Sequence, residues 1–340
     1  MKQLQKLLAG TTSAGWLLVL VSACGGRAVA LDAATDAADM PESTLESEPL
    51  VNEHATRLWN MGDHLLWTST VWEYDNGALR GCRTSNCEES VIQYGAGAFP
   101  DSVSGSTTHL AFLFQSIHAC PLEGCGAKPV DVYYPEGAFR LALDANAVYW
   151  MDGARDESVY RCPLSGCETP TAIASKQRAN SDDIFVIGDE VYWRAYDELR
   201  RAKSDGSAPH ELVLKHPDLD QFTLTEDRVY FVDKQQNVLY CKLADCAEPQ
   251  VLVDTTTEKF ALRADATGVF WLEKDNAVHS CAASGCESGP SPVTPKRAYA
   301  FAIDHDFVYW SERIPTADAK QRSPTMEFGA VGGNIWRSPR

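Results

Sequence analysis

Residues 148–167 read VYWMDGARDESVYRCPLSGC. An aliphatic-aromatic triad, Val148-Tyr149-Trp150, runs into a polar turn. A second apolar run follows at Val159-Tyr160, and then Cys162 and Cys167 bracket a Pro/Gly turn. Short runs rich in Val, Tyr and Trp, punctuated by Gly, Asp and Pro, predict β-strands joined by tight turns. The same pattern returns along the chain, with triads starting at Leu65, Leu110, Val148, Val191, Val229, Val269 and Val308, 38–45 residues apart. Seven positions before each triad stands an apolar residue: Leu58, Val103, Leu141, Ile184, Phe222, Leu262 and Phe301. After each triad one position is always aliphatic, as Leu79, Ile117, Val159, Leu199, Val238, Val278 and Ile335.

A repeat of about 40 residues is the length of one four-stranded propeller blade. The apolar residue ahead of the triad belongs to the innermost strand, the triad opens the second, and the aliphatic position lies in the third. In a ring of stacked sheets both faces of each sheet are covered, so these strands read as apolar runs without strict alternation. Helical periodicity is absent. The predicted fold is all-β, a β-propeller of seven four-stranded blades. The last unit reaches its third strand at Asn334-Ile335-Trp336-Arg337 without a fourth, while Leu50-Val51-Asn52-Glu53 precedes the first unit with no partner. An open ring would expose a sheet edge. The N-terminal segment is therefore expected to complete the last blade.

A chain of 340 residues with 44% hydrophobic and 10% aromatic content can bury a large core. Its net charge of −17 repels nucleic-acid phosphates and argues against polybasic docking on a membrane. The first residues carry Lys2 and Lys6, then an apolar stretch around Trp16–Val21, then Val21-Ser22-Ala23-Cys24. This reads as a signal peptide over residues 1–23. Its ending resembles the lipobox of bacterial lipoproteins, which implies that Cys24 becomes a lipidated N-terminus. Residues 24–49 then form an acidic tether with Asp32, Asp36, Asp39, Glu42, Glu46 and Glu48 against Arg27, and residues 50–340 form the propeller. The expected location is the bacterial cell envelope, with the outer membrane preferred because Gly25 is not the Asp that retains some lipoproteins at the inner membrane.

Trp150-Met151-Asp152 followed by Val159-Tyr160-Arg161 and a Gly turn resembles the YWTD repeat of low-density-lipoprotein-receptor-type propellers. The turn Arg201-Ala202-Lys203-Ser204-Asp205-Gly206-Ser207 in unit four matches best. The acidic residue of the motif stands as Asp152, Asp233, Glu273 and Glu312, and is replaced by Ser69, Phe114 and Ala195. The resemblance implies a recognition module without chemistry of its own. That family has six blades, so six remains an alternative to the seven counted here.

Beyond Cys24, ten cysteines form five C-x4-C pairs: Cys82/Cys87, Cys120/Cys125, Cys162/Cys167, Cys241/Cys246 and Cys281/Cys286. Unit four has Ala202 and Ser207 at both aligned positions, so the two members are absent together. Paired loss and the reach of a tight hairpin favour local disulfides, as does an exported chain. A structural zinc would instead need two pairs to converge on one ion, whereas a ring keeps them apart.

The sequence has no G-x-S-x-G, H-E-x-x-H, Gly-rich phosphate loop or EF-hand pattern. His118 and His279 fill a position that also holds Arg, Tyr, Leu and Trp, and read as packing residues. Asp144, Asp265 and Asp304 recur four residues before a triad and read as turn residues. No catalytic residue, metal ligand or cofactor is assigned. Loops joining fourth to first strands and second to third strands share one rim around the channel. That rim offers Trp72, Tyr74, Arg140, Asp183, Arg263, Lys296 and Arg297, together with an insertion over residues 313–333. Aromatic and Arg side chains are enriched at recognition surfaces. The expected function is a membrane-tethered recognition or scaffolding module with a protein or glycan ligand of the envelope. The alternatives are a propeller hydrolase or lactonase with a divalent cation in its channel, to which Asp183 and Asn60 could contribute, and a purely structural envelope protein.

Overall fold

The computed structural model describes residues 46–53, 55–69, 78–96, 102–153, 158–177, 184–315 and 330–340. Cys24, the signal peptide, most of the tether, Trp72, Tyr74 and Asp183 lie outside the described residues. Seven antiparallel four-stranded sheets follow one another along the chain. Blade three shows the plan: Ala138–Leu143, Ala147–Asp152, Ser158–Pro163 and Thr171–Ala174 run outward in sequence order. Its register sets Leu141 beside Trp150 and Trp150 beside Tyr160, whereas the aliphatic Val159 lies opposite Met151 in the next row.

The apolar runs do not alternate because neighbouring blades cover both sides. Val148 and Trp150 pack with Ala111, Leu113 and Ile117 of blade two. Tyr149, Met151 and Val159 pack the other way, against Ile184, Val191 and Trp193 of blade four. Trp67, Trp150, Trp193, Trp271 and Trp310 are all fully buried. Burying each side chain of this size contributes on the order of 2–3 kcal/mol.

Blade seven is closed as the sequence predicts. Glu48–Val51 pairs antiparallel with Ala330–Pro339, outside Phe307–Pro315 and Ala298–Ile303. Leu50 and Val51 join Tyr309 and Ile335 of blade seven and Leu58, Leu65 and Trp67 of blade one in a single apolar cluster. The strand starts two residues earlier than the tether boundary read from the sequence. Main-chain pairing needs no apolar side chain, and Arg337 engages Glu48. Glu53 is likewise an ion-pair partner, 2.6 Å from Arg80.

All five cysteine pairs are disulfides. The Cα separations are 4.9 Å for Cys82–Cys87, 4.9 Å for Cys120–Cys125 and 5.8 Å for Cys162–Cys167. They are 5.0 Å for Cys241–Cys246 and 5.2 Å for Cys281–Cys286. The first member is always a buried residue of a third strand. The five turns differ at the second member. Cys87 opens a short 3-10 turn, Cys87–Glu89, and Cys246 already belongs to the outer strand Asp245–Val253. Cys125, Cys167 and Cys286 follow their turns outside any strand and are half-buried. A fixed four-residue spacing sets the reach of the cross-link, whereas the intervening residues set the backbone path, and those differ from blade to blade.

What the second cysteines share is their neighbour, the outer strand of the preceding blade. Cys87 clusters with Leu50 and Val51, Cys125 with Ile92 and Tyr94, and Cys167 with Val132. Cys246 clusters with Leu214, and Cys286 with Val253. In blade three, Cys167 N–H donates to Val132 O at 3.2 Å. Gly166 has φ +97°, and a Cβ there would sit 3.3 Å from Asp131 O, so the close approach needs glycine. Blade four repeats the contact without a disulfide, Gly206 lying against Ile173. In blade seven Ser338 takes the register position of the first cysteine, opposite Val308.

Asp144, Asp265 and Asp304 are turn residues. Asp144 Oδ1 accepts the amides of Asn146 and Ala147, and its Oδ2 accepts Tyr149 Oη–H at 2.6 Å. Asp304 does the same with Asp306, Phe307 and Tyr309. Blade six has Phe270 at the position of those tyrosines, so Asp265 lacks the hydroxyl. Arg340 fills the place: its guanidinium pairs with Asp265, bonds Thr267 Oγ1 at 2.6 Å and lies 4.2 Å over the Phe270 ring. Burial would raise the Asp265 pKa, but the Arg340 and Thr267 hydrogen bonds prevail and hold it at about 2.

A carboxyl depressed in the fold stabilises it above its unfolded pKa, and that contribution fades as pH falls through the folded pKa. Arg340→Ala is therefore expected to cost about 1–2 kcal/mol near pH 7, after allowing for partial solvent screening. The gap between variant and wild type should close as the pH falls from about 4 towards 2. Urea melts across that range measure it, and a gap independent of pH would contradict the Asp265 assignment.

Candidate functional site

The first strands of the blades surround a central channel of about 840 Å³. Arg57, Arg140 and Arg263, each beside an innermost apolar residue in the repeat, line it as the pattern places them. Arg194 joins them from the second strand of blade four. The repeat does not announce it, yet a signal is present. The residue after the triad is Thr68, Leu113, Met151, Val232, Leu272 or Ser311 in the other blades and Arg194 here.

Three first strands carry a β-bulge, and the extra residue is aromatic each time: Phe139, Phe260 and Tyr299. A bulge leaves one residue without a cross-strand partner and turns it out of the ladder. Phe260 is 51% exposed as a result, and it borders the channel with Tyr299. The signal in the sequence is an aromatic two positions before the innermost apolar residue. Tyr134, on the connection from blade two to blade three, is 67% exposed, and Tyr196, in the second-to-third turn of blade four, is 52% exposed. Tyr196 sits at φ 57°. Rim topology places these two on the side of the channel mouth away from the disulfide turns.

Of the other rim residues named from the sequence, Arg297 is held in place. It stacks over Trp310 and Trp336 at 5.4 and 5.2 Å and pairs with Glu312 at 3.4 Å. Lys296 lies 4.0 Å from Asp275. The blade-seven insertion begins as a continuation of the second and third strands, with Arg313 opposite Gly332 and Pro315 opposite Ala330. Residues 316–329 lie outside the described residues.

On the same rim Glu273, Asp275 and His279 bring three potential ligand atoms within 4.8 Å. Two ammonium groups already attend them: Lys259 lies 3.9 Å from Glu273, and Lys296 reaches Asp275. Glu273 also accepts Trp271 Nε1–H at 2.8 Å. Burial pulls the Lys259 pKa down, with Glu273 and Asp233 opposing. The cluster balances its own charge and reads as a structural ion-pair network.

The channel lining has a different character. Arg194 donates to Leu219 O at 3.1 Å and Arg263 to Leu262 O at 2.8 Å. Arg140 donates to Phe139 O at 2.9 Å. Asp220 is the acid among the described lining residues. The Arg194 and Arg263 guanidiniums beside this space oppose a divalent cation there and favour an anion.

No protein-family model and no curated protein sequence matches the chain. Its fold is similar to many solved propellers. A structure described as YCF48 bound to D1 peptide superposes with TM-score 0.57 at 10% identity, covering 88% of this chain and 97% of that one. The nidogen/laminin complex gives TM-score 0.51 at 15% identity, covering 70% and 97%. Puromycin hydrolase gives 0.58 at 12% identity, covering 81% of this chain and 53% of that one. At such identities the likeness shows the fold, a seven-bladed β-propeller, and no activity.

Proposed function

We propose that this protein is a recognition module that binds a protein segment on the rim opposite its disulfide turns. One observation carries the reading: exposed Tyr134 and Tyr196 lie in connections of one rim, and exposed Phe260 borders the arginine-lined channel. Aromatic and Arg side chains are enriched among the residues that carry binding energy at protein interfaces. The YWTD-like repeat implies the same role. Two propellers of similar fold are described with a peptide or a protein partner. In this reading the chain is exported, carries lipid on Cys24 and works in the cell envelope, a setting compatible with its disulfides. A hydrolase with a channel cation is disfavoured by the arginines.

The test is quantitative capture from envelope extract by the acylated protein and by a Tyr134→Ser/Tyr196→Asn/Phe260→Ser variant. Asn at 196 preserves the left-handed backbone. All three side chains are exposed, so the melting temperature should stay within a few degrees. The expected result is a partner set captured by wild type and lost by the variant. An unchanged set, or none with wild type, would overturn rim recognition.

A further inference from the structure

We propose that the channel is a carboxylate pocket, in which Arg194 and Arg263 hold the acidic side chains of the bound peptide segment. The inference rests on the recognition reading above and specifies the chemistry of its ligand. Its basis is a contrast in how this protein treats its cations. The chain is strongly acidic, with 47 Asp and Glu against 30 Lys and Arg, and many of its outer-surface cations are matched to acids. On blade four Arg200 pairs with Glu198, Arg201 with Glu190 and Glu211, and Lys203 with Asp189. On blade one Arg80 pairs with Glu53, and Arg83 with Asp63 and Glu123.

Arg194 and Arg263, on the channel, are not matched in this way. Among the described residues no carboxylate pairs with either, although acids outnumber bases in the chain. Each guanidinium has five N–H donors, and the hydrogen bonds to Leu219 O and Leu262 O use one from each. Those two bonds fix the side chains by their neighbouring carbonyls and leave the remaining donors for the channel. Both residues are partly buried, where an uncompensated charge is costly and an entering anion gains most. Arg57 and Arg140 line the same space.

The size and borders of the channel favour a peptide over a small ion. A space of about 840 Å³ bordered by Phe260, Tyr299 and Trp59 offers apolar contact beside the charges. A single phosphate or citrate would leave that contact unused. An extended acidic segment with neighbouring apolar residues would satisfy both.

Fluorescence anisotropy of a labelled hexaglutamate peptide tests the proposal on the full chain, with hexalysine as control and citrate as competitor. The expected result is binding to wild type that weakens as salt is raised from about 20 to 200 mM, with none for hexalysine. Arg194→Gln/Arg263→Gln should weaken it about a hundredfold, at about tenfold for each charge-assisted contact. Arg194→Lys/Arg263→Lys should recover part of the loss. Thermal melts identify any variant that fails to fold, and citrate displacement of hexaglutamate from wild type then carries the test without substitution. Hexaglutamate binding unaffected by the Gln substitutions would overturn the proposal, as would no binding at about 20 mM salt. Citrate that binds while the peptide does not would also overturn it, leaving a small-anion pocket. If hexaglutamate fails while the tyrosine and phenylalanine substitutions still abolish partner capture, the carboxylate pocket is wrong and rim recognition stands. Arginine-dependent hexaglutamate binding beside unchanged capture means the opposite: the pocket is real and the aromatic rim is not the docking surface.

Discussion

Deleting residues through Val51 is expected to destroy the cooperative fold, the largest effect anticipated for any single change. The strand Glu48–Val51 is four residues long, yet its loss does three things at once. It uncovers Ile335, which is fully buried, and removes Leu50 and Val51 from the cluster that joins blade seven to blade one. It strips Arg337 of Glu48. It also leaves the edge of Ala330–Pro339 open to pairing with other chains. Two or three buried aliphatic side chains are worth on the order of 5 kcal/mol, comparable with the whole stability of many domains. The double substitution Leu50→Asp/Val51→Asp keeps the backbone and should give nearly the same loss, because each carboxylate would enter an apolar seam without a partner. Urea denaturation with light scattering measures both effects. A truncated chain that melts like the intact one and stays monomeric would show that closure lies elsewhere.

Reducing all five disulfides together is expected to be a perturbation at least as large. Each closes a short loop, worth about 2 kcal/mol by the loop-entropy estimate. The five lie in different blades and should add nearly independently, to about 10 kcal/mol. Their position makes local consequences predictable as well. Each turn rests on the preceding blade's outer strand, as Cys167 does on Val132, so reduction should expose outer-strand amides to hydrogen exchange before the inner strands. Cys162→Ser/Cys167→Ser should cost about 2 kcal/mol. Blade four provides the reverse experiment. Ala202→Cys/Ser207→Cys places a sixth pair at the aligned positions and should raise stability by about 1–2 kcal/mol. A reduced protein with an unchanged urea midpoint would remove the cross-links from the stabilising features.

The fold is legible because a propeller repeats one hydrophobic plan. Leu141, Trp150 and Val159 can be placed in strands one, two and three without coordinates, since six further copies fix their register. The same redundancy identifies the cysteine turns, through the paired absence at Ala202 and Ser207, and assigns Asp144, Asp265 and Asp304 to turns. It does not reach the differing backbone at Cys87 and Cys246, because the residues between paired cysteines are not part of the repeat. The candidate site is legible in part. Arg140 and Arg263 come from the innermost strand, whose side chains a ring directs at its axis. The pattern marks Arg297 as a recognition residue, whereas it packs against Trp310 and Trp336, the latter 39 positions away in sequence. Arg194 and Phe260 escape such a reading because each departs from the repeat, and a pattern built on recurrence discounts departures.

The sequence by itself determined the strand content and the seven repeat units, and it predicted the closure of the ring and local cross-links; the sheets decided seven blades over six. What the sequence determined depends on short-range periodicity and on turns, and is written in the order of the residues. Tertiary structure alone decided which cations meet an acid and which do not. Arg200 and Arg194 are six residues apart on one hairpin, yet the first lies beside Glu198 and the second opens onto the channel. Charge pairing depends on distance in space, and the ring brings residues from blades far apart in sequence to a common axis that no local pattern encodes.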